Sequence, residues 1–76
     1  MTPFDKLEAI SEQIDGDFRP SYSGRGMGGR TCGGIVTDDP MRCIELAAQR
    51  GITGANTDSM GRQTIVYWPS LTEDSV

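Results

Sequence analysis

The chain contains no histidine and only two cysteines, Cys32 and Cys43. A structural zinc site needs about four strong nitrogen or sulfur ligands, and a Cys–His nucleophile pair needs the missing histidine. No serine has a recognisable base partner, so we predict a protein that is not an enzyme and has no metal or cofactor. In a reducing compartment both thiols are expected to be small buried groups. In an exported protein, a Cys32–Cys43 disulfide would be the alternative.

Long apolar runs are also absent. No segment approaches the roughly 20 apolar residues that a membrane-spanning helix needs, and residues 1–8 lack the apolar core of a secretory signal. The sequence therefore predicts a cytosolic chain that does not enter a membrane. Its net charge of −4 argues against binding to extended nucleic acid. With 76 residues its core must be small, so we expect a homo-oligomer or a bound ligand to add stability.

Two amphipathic helices are indicated. Residues 2–15 have Thr2 as N-cap, Pro3 in the first turn and Gly16 as the stop. The second helix starts at Asp38-Asp39-Pro40 and ends at Arg50-Gly51-Ile52. Their predicted apolar stripes are Phe4, Leu7, Ile10 and Ile14 in the first helix, and Met41, Ile44, Ala47 and Ala48 in the second.

Strands are expected in the rest of the chain. Residues 17–23 contain Pro20 and fit an edge strand or an irregular segment. Residues 31–37 form a short strand that Gly33-Gly34 weakens, which suggests a bulge or the close approach of another backbone or a ligand. A hairpin follows, with strands at 54–57 and 62–68 and a turn at 58–61. Residues 63–68 are apolar on both faces, which indicates a central strand or an edge covered by another subunit.

The element order predicts one α+β domain over residues 1–70, with a flexible tail at 71–76. We expect a small antiparallel or mixed sheet of three to four strands, with two helices packed on one face.

A glycine-rich segment, residues 21–34, is the main candidate site. It holds six of the ten glycines together with Arg25 and Arg30, and no acid lies between Phe18 and Thr37. Residues 24–29 formally match G-x-G-x-x-G, but the segment does not open a helix, and no Lys-Ser/Thr pair completes a P-loop. Main-chain amides with two arginines fit an anion such as phosphate. The alternative is a mobile connection with solvated arginines.

A second candidate lies at residues 58–62, which could contact a polar ligand beside the glycine segment or simply form a turn. Tyr67 and Trp68 could stack on a base, or serve as core or interface residues. The predicted ligand-binding residues are Tyr22, Ser23, Gly24, Arg25, Gly26, Met27, Gly28, Gly29, Arg30, Asp58, Ser59, Arg62 and Trp68.

Two stretches carry a resemblance. Ser21-Tyr-Ser-Gly-Arg-Gly-Met-Gly-Gly-Arg-Thr-Cys32 and Gly54-Ala-Asn-Thr-Asp-Ser-Met-Gly-Arg-Gln-Thr-Ile-Val-Tyr-Trp-Pro69 resemble segments of small uncharacterised proteins of phages and prophages. The resemblance implies a phage origin and a location in the host cytoplasm, but no established activity. Small phage proteins often act by binding, as inhibitors of host enzymes or defence systems or as sponges for nucleotide signals.

Three functions are therefore open. The leading hypothesis is a non-catalytic phage-type protein that captures a small phosphate-bearing ligand, such as a nucleotide or cyclic nucleotide signal, and so counteracts host defence. The second is a protein–protein inhibitor that uses its acidic first helix against a host enzyme or defence complex. The third is an RNA or DNA accessory protein that uses the arginine-containing loop.

Overall fold

The computed structural model describes residues 2–24 and 27–71. The elements in chain order are α1 (Pro3–Gln13), β1 (Asp17–Tyr22), β2 (Cys32–Thr37), α2 (Pro40–Gln49), β3 (Asn56–Met60) and β4 (Gln63–Trp68). The predicted α+β class is confirmed, and the sheet has four antiparallel strands in the order β1-β2-β4-β3. The described residues contain no helix long and apolar enough to cross a membrane.

The first helix begins and ends with hydrogen-bonded caps. The Asp5 amide donates to Thr2 Oγ1 at 3.2 Å, and the Thr2 amide donates back to the Asp5 carboxylate at 3.1 Å. At the other end, the Gly16 amide donates to the Ser11 carbonyl at 2.7 Å. The left-handed position is Asp15, with φ 56°, rather than the predicted stop Gly16. Gly16 is needed for space instead, because a Cβ there would lie 2.9 Å from Ile35 Cγ2.

The second helix ends where it was expected to end. Gly51 takes φ 79°, and the amides of Gly51 and Ile52 donate to the carbonyls of Ala48 and Ala47, the paired bonds of a Schellman motif. Its predicted apolar stripe was partly wrong, because Met41 is 74% exposed and Ala48 is exposed. The residues that α2 buries are Cys43, Leu46 and Ala47.

Both helices pack on the same face of the sheet. Leu7 and Ile10 of α1 and Leu46 of α2 form one buried cluster with strand residues that include Ile35, Val66 and Trp68. Gly33 lets α1 lie close to β2, since a Cβ there would be 2.8 Å from Leu7 Cδ1 and 3.1 Å from Phe4 Cε1. The close approach suggested by Gly33-Gly34 is therefore made by side chains. The register shift lies in the β1–β2 pairing, between Arg19 and Tyr22.

The hairpin of β3 and β4 differs from its prediction. Met60 pairs with Gln63, so the turn is only Gly61 and Arg62, and Asp58 to Met60 belong to β3 rather than to a four-residue turn. Gly61 has φ 64° and Arg62 does not have a positive φ, which matches the two-residue turns that have glycine first. The central position of β4 and the edge position of β1 are confirmed.

The chain beyond β4 turns back onto the sheet. The Leu71 amide donates to the Trp68 carbonyl at 2.9 Å, and the Leu71 carbonyl accepts from the Gly33 amide at 3.0 Å. Leu71 also packs against the core, although the sequence assigned it to the tail. The rest of the predicted tail, residues 72–76, lies outside the described residues.

Candidate ligand-binding site

The face of the sheet opposite the helices carries a second buried cluster. Alternation along β2 and β4 directs Cys32, Val36, Ile65 and Tyr67 to this side, where Met27 packs on them. We call it the open face, meaning the side of the sheet that bears these strand residues. Both helices pack on the other side of the sheet, and on this side Met27, from the connection between β1 and β2, covers the strand residues.

Met27 anchors the connection between β1 and β2 on the open face. Its side chain is 3% exposed, and its sulfur accepts from the Gly24 amide at 3.2 Å and from the Cys32 thiol at 3.7 Å. Its carbonyl accepts from the Arg30 amide at 3.1 Å and from Arg30 Nε at 3.2 Å. The described part of the glycine segment therefore uses several of its own donors to fix the loop, with Met27 as the anchor.

Tyr22 and Tyr67 form the aromatic part of the open face. Their ring centroids lie 5.0 Å apart at an interplanar angle of 51°. The register shift in β1 brings Tyr22 opposite Cys32, so that Tyr22 joins Arg19 on this side of the sheet. Gly24 passes directly over the Tyr67 ring, because a Cβ there would lie 2.5 Å from Tyr67 Cε2. Tyr67 is buried, whereas Tyr22 keeps part of its ring exposed.

Tyr22 also reaches the opposite edge of the sheet. Burial raises the pKa of its phenol above the ordinary value, and the Asp58 carboxylate raises it further through its charge and through a hydrogen bond from the phenol. Tyr22 lies on β1 and Asp58 on β3, the two outer strands. Gly34, on β2, carries no side chain on this side of the sheet, where a Cβ would lie 3.2 Å from Ile65 Cδ1 and from Tyr67 Cβ.

Residues of both outer strands line one cleft at this place. It measures about 360 Å³ and is bounded by Arg19, Pro20, Ser21, Tyr22 and Met60. We call it the edge cleft. It offers a ring surface, a thioether that is 37% exposed and one guanidinium group. A flat, partly apolar ligand with an acidic substituent matches these groups.

The guanidinium of Arg19 forms an exposed ion pair with Asp17 that a ligand could replace. Arg19 Nη2 lies 2.9 Å from Asp17 Oδ2, and the two side chains are 55% and 65% exposed. A pair this exposed contributes at most about 1 kcal/mol, so a doubly charged group could displace it. Asp58 lies on the β3 side and would repel such a group. The charges therefore favour an acidic substituent near Arg19 and a hydrogen-bond donor near Asp58.

The structure brings only some of the predicted site residues together. Tyr22, Gly24, Met27 and Asp58 meet on the open face, but Met27 is buried as an anchor. Gly28, Gly29 and Arg30 are exposed on the loop, and Ser23 is exposed at the end of β1. Arg25 and Gly26 lie outside the described residues.

Three predicted residues are placed elsewhere. Trp68 is fully buried on the helix side, so its ring has no exposed surface for a base. Ser59 alternates with Asp58 and Met60 and therefore points away from the open face. Arg62 occupies the exposed turn after β3.

Sequence reasoning left Arg19 and Met60 out of the site. Met60 was assigned to a turn, which hid its place in a strand. Arg19 lies before the glycine-rich segment, but alternation with a period of two places Arg19 and Asp17 on the same face of β1.

Both thiols are free and buried, on opposite sides of the sheet. Burial raises the pKa of Cys43 to about 11, and the Asp39 charge adds to the effect. Burial also raises the pKa of Cys32, which a backbone hydrogen bond involving Trp68 partly offsets. Neither thiol is a nucleophile at neutral pH in this fold. Among the described residues, no group of three or more histidine, cysteine or acidic side chains could hold a metal ion.

Comparisons of the chain with protein-family models, curated proteins and solved structures found no significant match. The chemistry of the site is therefore inferred from its own residues.

Proposed function

We propose that the protein is a non-catalytic binding protein whose edge cleft captures a small phosphate-bearing ligand with a flat ring, such as a nucleotide or cyclic nucleotide. The observation that carries this proposal is that β1 and β3, from opposite edges of the sheet, line one cleft containing the Tyr22 ring, Met60 and Arg19. The ring of the ligand would lie against Tyr22 and Met60, and its phosphate would replace Asp17 as the partner of Arg19. Arg30, exposed on the neighbouring loop, would add a second cation.

A thermal-shift panel tests this directly. Mononucleotides, dinucleotides and cyclic nucleotides are compared with their nucleosides and with inorganic phosphate. At a ligand concentration about 100 times Kd, binding adds about 2.7 kcal/mol to stability. In a domain of this size that raises Tm by roughly 10–20 °C. A nucleotide should raise Tm by more than its nucleoside or phosphate alone.

Variants locate the binding. Tyr22→Leu and Arg19→Gln should each weaken binding of the active nucleotide about tenfold or more, since a base stacked on an aromatic ring contributes about 1–3 kcal/mol. Arg42→Gln is the matched control, because Arg42 is exposed in the first turn of α2 and does not line the edge cleft. The absence of any shift across the panel, or equal weakening by all three variants, would exclude the proposal.

The proposal includes a homo-oligomer and a role for a phage protein in the host cytoplasm, as the resemblance implies. β3 is the last strand in the order β1-β2-β4-β3 and pairs on one side only. Its outer edge supports association, because an edge strand can pair with a strand of another chain. Sedimentation equilibrium measures this directly. A monomer at all accessible concentrations would remove the oligomer from the proposal without affecting the edge cleft.

A second function is supported by a different observation. Four acids, Asp5, Glu8, Glu12 and Asp15, follow one stripe of α1 and its end, and all are exposed. None of them forms an ion pair with a described residue. We propose as the alternative that this stripe docks on a basic surface of a host protein and inhibits it.

Capture experiments separate the two functions. The double variant Glu8→Lys with Glu12→Lys should no longer capture the host protein that the unmodified protein binds in stoichiometric amount. The control Glu45→Lys, on α2, should still capture it. Retention of the partner by the double variant would refute docking through α1.

A further inference from the structure

A second cleft lies on the helix side of the molecule, away from the open face. It has a volume of about 270 Å³ and is formed where the first turn of α1, the turn after α2 and the chain beyond β4 meet. We call it the basic cleft. Its lining includes Pro3, Lys6, Arg50, Thr53, Ser70 and Leu71.

The composition of this lining is unusual for a chain with a net charge of −4. Two cations, Lys6 and Arg50, line the cleft, and among the described residues no acidic side chain does so. Neither cation forms an ion pair in the part of the chain that the structure describes. Two like charges in the lining of one small cleft repel each other, and an anion bound between them would offset that repulsion. The hydroxyl-bearing residues Thr53 and Ser70 are suitable additional hydrogen-bonding groups.

Arg50 is held in place before any ligand binds. Its Nη1 donates to the Leu46 carbonyl at 3.1 Å and its Nη2 donates to Gln13 Oε1 at 3.3 Å. These bonds tie the guanidinium to the ends of both helices and use only neutral acceptors, so its positive charge is not cancelled. A cation fixed in this way loses little conformational freedom when an anion arrives. Pro3 adds the amino end of α1, whose dipole favours negative charge.

We propose that the basic cleft is an anion site, in which Lys6 and Arg50 hold the phosphate group of a small ligand. The assignment rests on two cations that line one cleft, with no ion pair and no carboxylate in the lining among the described residues. A volume of about 270 Å³ is large enough for a phosphate and several waters, since one liquid water occupies about 30 Å³. The proposal is independent of the edge cleft, which lies on the other face of the sheet and shares no lining residue with it.

Titration with defined anions tests the site. Amide chemical shifts and heats of binding are measured with inorganic phosphate and with methyl phosphate, against sodium chloride at matched ionic strength. Saturable shifts at Lys6, Thr53 and Ser70 with either phosphate are expected. Tighter binding of methyl phosphate would identify a phosphate monoester as the natural source, and tighter binding of inorganic phosphate would identify the free ion.

Charge-removing variants decide whether the cleft is responsible. Lys6→Gln and Arg50→Gln should each weaken phosphate binding about tenfold or more, as expected for loss of a hydrogen bond to a charged group. Arg42→Gln removes one positive charge from α2 outside the cleft and should leave binding unchanged. Because Arg50 also caps α2, Lys6→Gln is the deciding variant if Arg50→Gln unfolds.

Three results would overturn the anion site: the absence of saturation beyond the chloride control, a loss of binding in Arg42→Gln equal to that in Lys6→Gln, or shifts confined to other parts of the chain. Variants of Tyr22 and Arg19 do not change the basic cleft, so a loss of binding at the edge cleft can be distinguished from a loss of binding at the basic cleft.

Discussion

The Asp58 carboxylate of β3 raises the pKa of the Tyr22 phenol of β1, through its charge and hydrogen bonding, although two strands lie between β1 and β3 in the sheet. Tyr22 also lines the edge cleft, together with Met60 of β3. The pKa of the Tyr22 phenol, which can be measured by titration, therefore reports on the edge cleft.

Asp58→Asn should lower the pKa of Tyr22 toward its ordinary value of 10.0. Burial, the larger cause of the raised pKa, remains in the variant, so the pKa should stay above that value. Because the folded-state pKa is raised, the phenol stabilises the fold fully below its unfolded pKa, and this contribution is lost as pH rises through the folded pKa. Asp58→Asn should therefore make the alkaline loss of stability smaller and end it at a lower pH, because the folded pKa moves closer to the unfolded one.

Titration of isotope-labelled tyrosine by NMR measures the pKa of Tyr22 separately from that of Tyr67. Asp17→Asn is the control, since Asp17 is on β1 but is not among the groups that shift Tyr22. An unchanged pKa in Asp58→Asn would show that the two residues do not interact in solution.

Met27→Ala should destabilise the protein by about 2–5 kcal/mol, the range for buried methionine truncated to alanine. The side chain is 3% exposed and closes the second buried cluster, so its removal leaves a cavity under the loop. Met41→Ala is the matched control, since that side chain is 74% exposed and should change stability by about 0.5 kcal/mol or less. Urea denaturation provides both values. Equal effects would mean that the loop does not anchor on the sheet.

Asp15→Gly should stabilise the protein by roughly 0.5–1 kcal/mol. Asp15 has φ 56° at the end of α1, a left-handed conformation that costs a residue with a side chain about 1–2 kcal/mol. Glycine removes that strain but loses more entropy on folding, which limits the gain. Gln13→Gly, within the last turn of the same helix, should instead destabilise by about 1 kcal/mol. Thermal unfolding of the two variants measures the difference in stability. Destabilisation by both substitutions would contradict the left-handed conformation of Asp15.

The two thiols should react with a thiol reagent on the order of 100-fold more slowly in the native protein than in denaturant, because reaction requires opening of the core. Both cysteines are 0% exposed, and the pKa of Cys43 is raised to about 11. The raised pKa means that Cys43 stabilises the fold below its unfolded pKa, and that this stability is lost as pH rises through about 11. Rapid native labelling of either thiol at neutral pH would show that its side of the sheet is open.

Local signals in the sequence were sufficient for most of the fold. Proline after a capping residue marked both helix starts, and Arg50-Gly51-Ile52 marked the second helix end. The two-faced apolar run of β4 indicated its central position. The turn at Gly61 was misplaced because Asp58, Ser59 and Met60 have the composition of a turn, and only pairing with β4 makes them a strand.

The site was harder to predict, because it depends on contacts between residues distant in the chain. The glycine segment suggested an anion loop, but nothing local shows that Met27 would turn inward and anchor it. The edge cleft combines residues of β1 with Met60 of β3, the two outer strands of the sheet, and no single stretch of sequence encodes that combination. Lys6 and Arg50 are 44 positions apart in the numbered chain, so their shared cleft was also invisible in the sequence.

The most direct test of the account is a map of amide and side-chain shifts during titration with the nucleotide that most raises Tm. The account predicts saturable changes that centre on Arg19, Ser21, Tyr22 and Met60, and a reduction of those changes in Tyr22→Leu. Saturable changes that centre on the acidic stripe of α1, or on no described residue of the edge cleft, would contradict it.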